Sequence, residues 1–123
     1  MLRIKRVYDK PDAGDGRRIY VDRLWPRGLK KEDAAIDEWL KELSPSDALR
    51  KWFGHEPDRF EDFRKRYIEE LSAHENLASL ERLASMAKEA DVTLLYSAKN
   101  TEYNNAVVLK EFIVNTVSAK SGK

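Results

Sequence analysis

The tetrapeptide Trp25-Pro26-Arg27-Gly28 does more than any other stretch to limit how this chain folds. Pro26 holds Trp25 in extended geometry, and Gly28 can take the positive φ that other residues avoid, so the backbone must turn sharply here. Immediately upstream, Arg18-Ile19-Tyr20-Val21-Asp22 is rich in β-branched and aromatic residues and reads as a strand. That strand delivers two guanidiniums and an indole, Arg23, Arg27 and Trp25, into the loop beyond its carboxyl end.

The rest of the chain supplies partners for this strand. Leu2 to Tyr8 alternates apolar and basic residues, the period of a half-buried strand, with Leu2, Ile4 and Tyr8 predicted to face inward. Lys10 to Gly16 clusters Pro, Asp and Gly and reads as a loop. Residues 31–43 place Ile36, Trp39, Leu40 and Leu43 at helical spacing, which predicts a helix, although Trp39, Lys41 and Leu43 also fit a short strand. Ser46 is a helix cap, and Gly54 closes the helix that runs from Asp47 to Phe53.

Pro57 opens a further helix with Phe60, Phe63, Tyr67 and Leu71 on one face and a solvated mixture of charges on the other. Another helix carries Leu77, Leu80, Leu83 and Ala87 on one side. Asp91 to Tyr96 is almost wholly apolar, as a strand buried between two layers requires. Ala106, Val107, Leu109, Ile113 and Val117 then suit a closing helix, with residues 119–123 as a fraying tail. Strands early and late with helices between them predict an α/β fold: a small, partly parallel sheet of three or four strands flanked by helices, in one compact domain over residues 1–123.

Composition narrows the function. The 123 residues are 41% hydrophobic, enough for one core of modest size, and the 37% charged fraction is nearly balanced at +1. That balance argues against a disordered tail and against a uniformly basic nucleic-acid binder. Residues 1–31 nevertheless hold ten Lys and Arg against four Asp, while the remainder holds thirteen against eighteen acidic residues. The first quarter of the chain can therefore form a local positive surface or spread its charge over a solvated face. The chain has no cysteine, so disulfides, thiol nucleophiles and thiolate metal sites are all excluded, and the reducing cytosol is the expected compartment. Met1 leads directly into charged sequence, and no apolar run approaches the length of a membrane span, so neither secretion nor a membrane partner is expected.

In sheets of this kind ligands bind beyond the carboxyl ends of the strands, where two loops gather: Asp22 to Gly28, and Ser97 to Asn105. Arg23 and Arg27 are planar forks suited to phosphate or carboxylate, Lys99 adds a point charge, and Ser97, Asn104 and Asn105 offer hydrogen bonds. Internal roles compete with this reading: Arg23 can pair with Asp22 or Asp37, and Trp25 can be an anchor whose N–H finds a backbone oxygen. The segment from Arg50 to Pro57 adds Lys51, Trp52 and His55, the last a candidate acid–base group at neutral pH or a plain surface residue. Ser97 is a nucleophile only if a base stands beside it, and the sequence offers none nearby. His74 lies in a stretch that reads as an exposed connection. The two histidines lack metal-ligand spacing, and no phosphate-loop, G-x-G-x-x-G or G-x-S-x-G motif is present, so metal, flavin, dinucleotide and nucleophile-elbow chemistries have no signature.

The runs Arg6-Val7-Tyr8-Asp9, Val21 to Gly28, Leu49 to His55, and Leu94-Leu95-Tyr96 followed by Asn104 to Leu109 resemble the YeaO-like family, within the bacterial and archaeal domain family of unknown function number 488. The likeness spans nearly the whole chain, and V-D-R-L-W-P-R-G is its most specific part. The resemblance implies a small α/β domain without an assigned substrate. It also implies that related branches carry cysteines where this chain has Tyr96 and Asn104, so their thiol chemistry does not transfer. Close members read His-Asn before the last helix, whereas this chain has Tyr103-Asn104, which removes an imidazole from that position. The expected function is binding of, or action on, a small phosphate- or carboxylate-bearing molecule at the strand-end loops. The alternative is a nucleic-acid or protein-binding module that uses the basic and aromatic groups as a surface, with stacked bases over aromatics and phosphates along the charges.

Overall fold

In the computed structural model, which describes residues 1–118, four short strands form a wholly parallel sheet: β1 (Leu2–Arg6), β2 (Arg17–Tyr20), β3 (Glu38–Trp39) and β4 (Val92–Tyr96), in the order β1-β4-β2-β3. The tail at 119–123 lies outside the described residues. β4 is buried along all five residues, as its unbroken apolar sequence requires, because it has a strand on each side and side chains packed on both faces. Register sets Leu2 and Arg17 opposite Val92, and Ile4 and Ile19 opposite Leu94. Since side chains alternate across a sheet, Ile19 and Leu94 face one layer while Tyr20 and Leu95 face the other.

The Ile19 face carries the main core. Against it pack α2 (Asp47–Phe53), α3 (Phe60–Leu71), α4 (Leu77–Glu89) and α5 (Asn105–Phe112), which continues through a π-helical stretch at Ile113–Val117. The local signals account for these helices well. The Ser46 hydroxyl accepts from the Leu49 amide, Gly54 closes α2 in the left-handed region, and Pro57 begins a single tight turn that leads into α3. Phe63 stacks on Phe53 with ring centroids 4.3 Å apart, and the buried Tyr67 hydroxyl donates to the Leu43 carbonyl. On the Tyr20 face the layer is thinner. Val7, Tyr20, Leu95 and Ala34 are buried there, with Leu29, Ile36 and Trp39 packed around them.

The helix expected over 31–43 does not form as a unit. Only one turn, α1 (Lys31–Ala34), is helical before Ala35 enters the left-handed region at φ 48° and ends it. The chain then joins the sheet: the Asp37 amide donates to the Arg18 carbonyl, the Asp37 carboxylate accepts from the Arg18 amide, and Glu38–Trp39 pair with Ile19 and Tyr20. Pairing here gives partners to backbone groups along the outer edge of β2 that a helix over 31–43 would leave unpaired, and this outweighs a helical spacing of four apolar residues. Of the short-strand alternative at Trp39, Lys41 and Leu43, only Trp39 lies in a strand, β3, while Lys41–Leu43 form a tight 3-10 turn. Two further inward expectations fail. Tyr8 lies past the end of β1 and is exposed, the buried position being Val7, and Leu77 at the start of α4 is exposed as well.

A buried ion cluster holds the long β1–β2 connection to the thin face. The Asp15 carboxylate receives Arg18 Nη1 at 2.5 Å, Lys5 Nζ at 3.1 Å and the Asp12 amide at 3.0 Å, while Arg18 also donates to the Ala34 and Ala35 carbonyls. Burial pushes the Asp15 carboxyl up, but the hydrogen bonds from Lys5, from the Asp12 amide and from Arg18 outweigh it and leave the group below its ordinary value. Next to this cluster Gly16 sits at φ 64°, and a β-carbon there would lie 2.0 Å from the Asp91 carbonyl oxygen. No side chain fits between β2 and the turn before β4.

Two outcomes follow for stability. Gly16→Ala loses about 2 kcal/mol or more, from clash and a disfavoured φ, whereas Gly14→Ala changes stability by less than about 1 kcal/mol; urea unfolding of the pair checks this. Because Asp15 is depressed in the folded state, its contribution is present above the unfolded value of about pH 3.9 and disappears as pH falls through the lower folded value. Asp15→Asn therefore destabilises by about 3 kcal/mol at pH 7 by leaving Arg18 uncompensated, and its loss of stability in urea melts at pH 3 is smaller than at pH 7.

Candidate functional site

β2 and β4 end side by side, with Tyr20 opposite Leu95, so the loops that leave them start from neighbouring points. Between these loops and α2 opens a cleft of about 480 Å³, within the usual range for small-molecule sites. One wall is the turn from Asp22 to Arg27 with Tyr8 beside it; the other is Pro45 and the α2 residues Arg50, Lys51 and Phe53 with Gly54 and His55; Ser97, Ala98, Asn104 and Asn105 close the base.

The base is held by one carboxylate. Asp22 Oδ2 accepts from both the amide and the hydroxyl of Ser97, at 3.0 and 2.5 Å, and its Oδ1 accepts from Asn105 Nδ2 at 3.0 Å. The same Asn105 amide also reaches the Val21 carbonyl, and Trp39 Nε1 donates to the Asp22 carbonyl. Asn104, fully buried, caps α5 by accepting from the Val107 amide and donates to the Asn100 carbonyl. Ser97 and Asn105 are thus committed to tying β2, β4 and α5 together, and Asn104 to capping α5 and closing the loop before it. Close by, burial and then the Asp22 charge push the Tyr20 phenol far above its ordinary value, which keeps its proton available for the Leu24 carbonyl at 2.7 Å.

The walls carry the free polar groups. Arg23 gives only Nε, to the Pro45 carbonyl at 3.1 Å, so it pairs with neither Asp22 nor Asp37, and the two terminal nitrogens of its fork have no partner among the described residues. The Arg27 side chain has none either; the Arg27 backbone carbonyl is pinned by the Tyr8 hydroxyl at 2.8 Å. Arg50 and Lys51 share the Asp47 carboxylate, at 2.6 and 3.0 Å. Arg50 Nε is buried and lacks a hydrogen-bond partner, alone in this among the buried side-chain polar atoms of the described residues. His55 takes a left-handed backbone at φ 61°, directly after Gly54 in the same region, and its ring rests near Phe53 with no hydrogen bond.

Trp25 does what the anchor reading of its indole requires. Its N–H donates to the Leu29 carbonyl and its ring meets Tyr20 and Trp39 edge-on, yet 38% of the residue stays exposed, next to Leu24 at 58%. Of the residues singled out in the sequence, Arg23, Trp25, Arg27, Lys51, His55, Ser97, Asn104 and Asn105 line the cleft, and Trp52 and Lys99 do not. Trp52 points its ring at Arg66 and Arg59, with the guanidinium carbons 4.2 and 5.6 Å from the ring centre. Asp22, Arg50, Leu24 and Tyr8 also line the cleft; Asp22 and Arg50 adjoin Arg23 and Lys51 in sequence, whereas Leu24 and Tyr8 carry no chemical signal of their own. Among the described residues no group of three or more His, Asp and Glu is poised to hold a metal, and no helix is long and apolar enough to cross a membrane.

Over residues 1–123 the chain matches the family described as the inactive DUF488-N3 subclade. It is 52% identical over 112 residues to the uncharacterised protein YeaO of Escherichia coli K12, an overlap of 91% of this chain and 96% of that protein. The uncharacterised protein Rv3073c of Mycobacterium tuberculosis H37Rv is 38% identical over 112 residues, covering 91% of this chain and 92% of its own length. No solved structure matches.

Removing the Asp22 carboxylate leaves the Ser97 and Asn105 donors unpaired at once, so Asp22→Ala costs about 2–4 kcal/mol, against about 1 kcal/mol for Ser97→Ala, which leaves the Ser97 amide bond in place. Guanidinium unfolding of the two variants checks the difference.

Proposed function

The chain belongs to the DUF488 family, and from that premise we propose that it is a binding protein whose strand-end cleft receives a small anionic molecule, phosphate- or carboxylate-bearing, and holds it without reacting it. The observation that carries this reading is the pair Arg23 and Arg27. Both line the cleft, and the end groups of both lack protein partners, although a guanidinium left to itself on a surface gains little by being fixed there. Arg23 is held by its Nε alone, so its fork is oriented before any ligand arrives, and such preorganisation lowers the entropy lost on binding.

Holding rather than reacting is supported by how the polar groups are used. The Ser97 hydroxyl is spent on the Asp22 carboxylate, which already accepts from two other groups, so that it works as a strut. The carboxylate it meets is no free base. The subclade's description as inactive agrees with this assignment.

A thermal-shift screen of phosphorylated and carboxylated metabolites tests the reading, because a ligand that binds only the folded state raises its melting temperature. At least one anion stabilises the wild-type chain, and Arg23→Ala and Arg27→Ala, folded by circular dichroism, each weaken it about tenfold or more, as loss of a charge-assisted hydrogen bond implies. Lack of stabilisation by every anion, with both variants well folded, contradicts it.

A further inference from the structure

Resting on the reading that an anion binds here, we infer that the cleft is built for a phosphate monoester carried on a planar, aromatic body. The first argument is charge. Arg23, Arg27, Arg50 and Lys51 line the cleft, while the carboxylates nearby are Asp22, engaged by neutral donors and paired with none of the four, and Asp47, shared by Arg50 and Lys51. Cations exceed anions by two. A phosphate monoester carries close to two negative charges at neutral pH, with three acceptor oxygens on one atom, whereas a simple carboxylate carries one.

The second argument is the unmet donor. Arg50 lines the cleft from α2 and keeps its Nε buried without a partner, an unfavourable state unless something supplies an acceptor. Arg23 reaches towards the same side, since it is anchored on Pro45, next to the cap of α2. Forks that enter from two walls can reach different oxygens of one tetrahedral group. His55 stands at the end of α2 with no hydrogen bond to its imidazole and a left-handed backbone, a conformation that non-glycine residues adopt at a cost.

The third argument is the exposed apolar rim on the opposite wall. Leu24 and Trp25 are more than a third exposed, and so is Tyr8, which the hydrogen bond to the Arg27 carbonyl holds beside the turn. Trp25 is fixed by its own N–H and by Tyr20 and Trp39, so it presents a rigid ring surface. An anion-binding end next to a rigid aromatic rim selects a ligand with both features.

Calorimetric titration of the full chain with phenyl phosphate, methyl phosphate, benzoate and phthalate tests this. Phenyl phosphate binds at least tenfold tighter than methyl phosphate and than either carboxylate; in Leu24→Ala and in Trp25→Ala the ring advantage falls below threefold, and Arg50→Met weakens both phosphates. Leu24→Ala keeps the test sound should Trp25→Ala unfold. Equal affinity for phenyl and methyl phosphate, or carboxylates bound as tightly as phenyl phosphate, overturns this inference while leaving anion binding intact. Binding of none of the four overturns both, and so does binding of a single-stranded oligonucleotide alone.

Discussion

Asp22 lies two residues beyond the end of β2, and its carboxylate is where the separate parts of the sheet's carboxyl edge are joined. It collects donors from Ser97, just past β4, and from Asn105, in the first turn of α5, while its carbonyl takes the Trp39 indole from β3. Three elements far apart in sequence are thereby fixed to one residue. A carboxylate whose oxygens are satisfied by several neutral hydrogen-bond donors needs no cation beside it, and here that leaves the neighbouring Arg23 fork without a carboxylate partner. Had Arg23 paired with Asp22, the cleft would have lost the free fork of one of its guanidiniums.

The two walls then differ in kind. The α2 side presents nitrogen donors, one of them buried and unmet, and the β2 side presents Arg27 together with an apolar rim pinned from behind by Tyr20, Trp39 and the Leu29 carbonyl. Rigidity here comes from the interior. Trp25 cannot swing away without giving up its N–H bond, and Arg23 cannot without releasing the Pro45 carbonyl. The glycine-tight junction at Gly16 and the Asp15–Arg18 pair serve the opposite end of the sheet, where they hold the long β1–β2 connection. The two ends of the same four strands are thus held by separate networks, one on Asp15 and Arg18, the other on Asp22.

Much of the fold could be read from the sequence wherever the signal was local. Ser46 and Gly54 bracket α2, the apolar run at 92–96 is the central strand, and Pro26 with Gly28 marks the turn. The segment at 31–43 departs from its helical spacing because its fate is decided by Asp37 pairing with the Arg18 backbone, a contact that apolar spacing does not encode. The same physics limited the reading of the site. Arg23, Arg27 and His55 were visible as chemistry without neighbours, but Asp22 gains its role from residues some 75 and 83 positions away. Trp52 and Trp25 look alike in sequence, each beside basic residues; only packing of α2 on α3 turns Trp52 towards Arg66 and away from the cleft.

The account depends on the arginines of the cleft being receptors and those of the opposite end being scaffold. Side-chain Nε–H resonances, followed by heteronuclear NMR during a titration with inorganic phosphate, separate the two groups directly. The account predicts saturable shifts for Arg23, Arg27 and Arg50 with a single dissociation constant, while Arg18, buried against Asp15, stays unmoved. Uniform small shifts across all arginines that follow ionic strength and never saturate would contradict it.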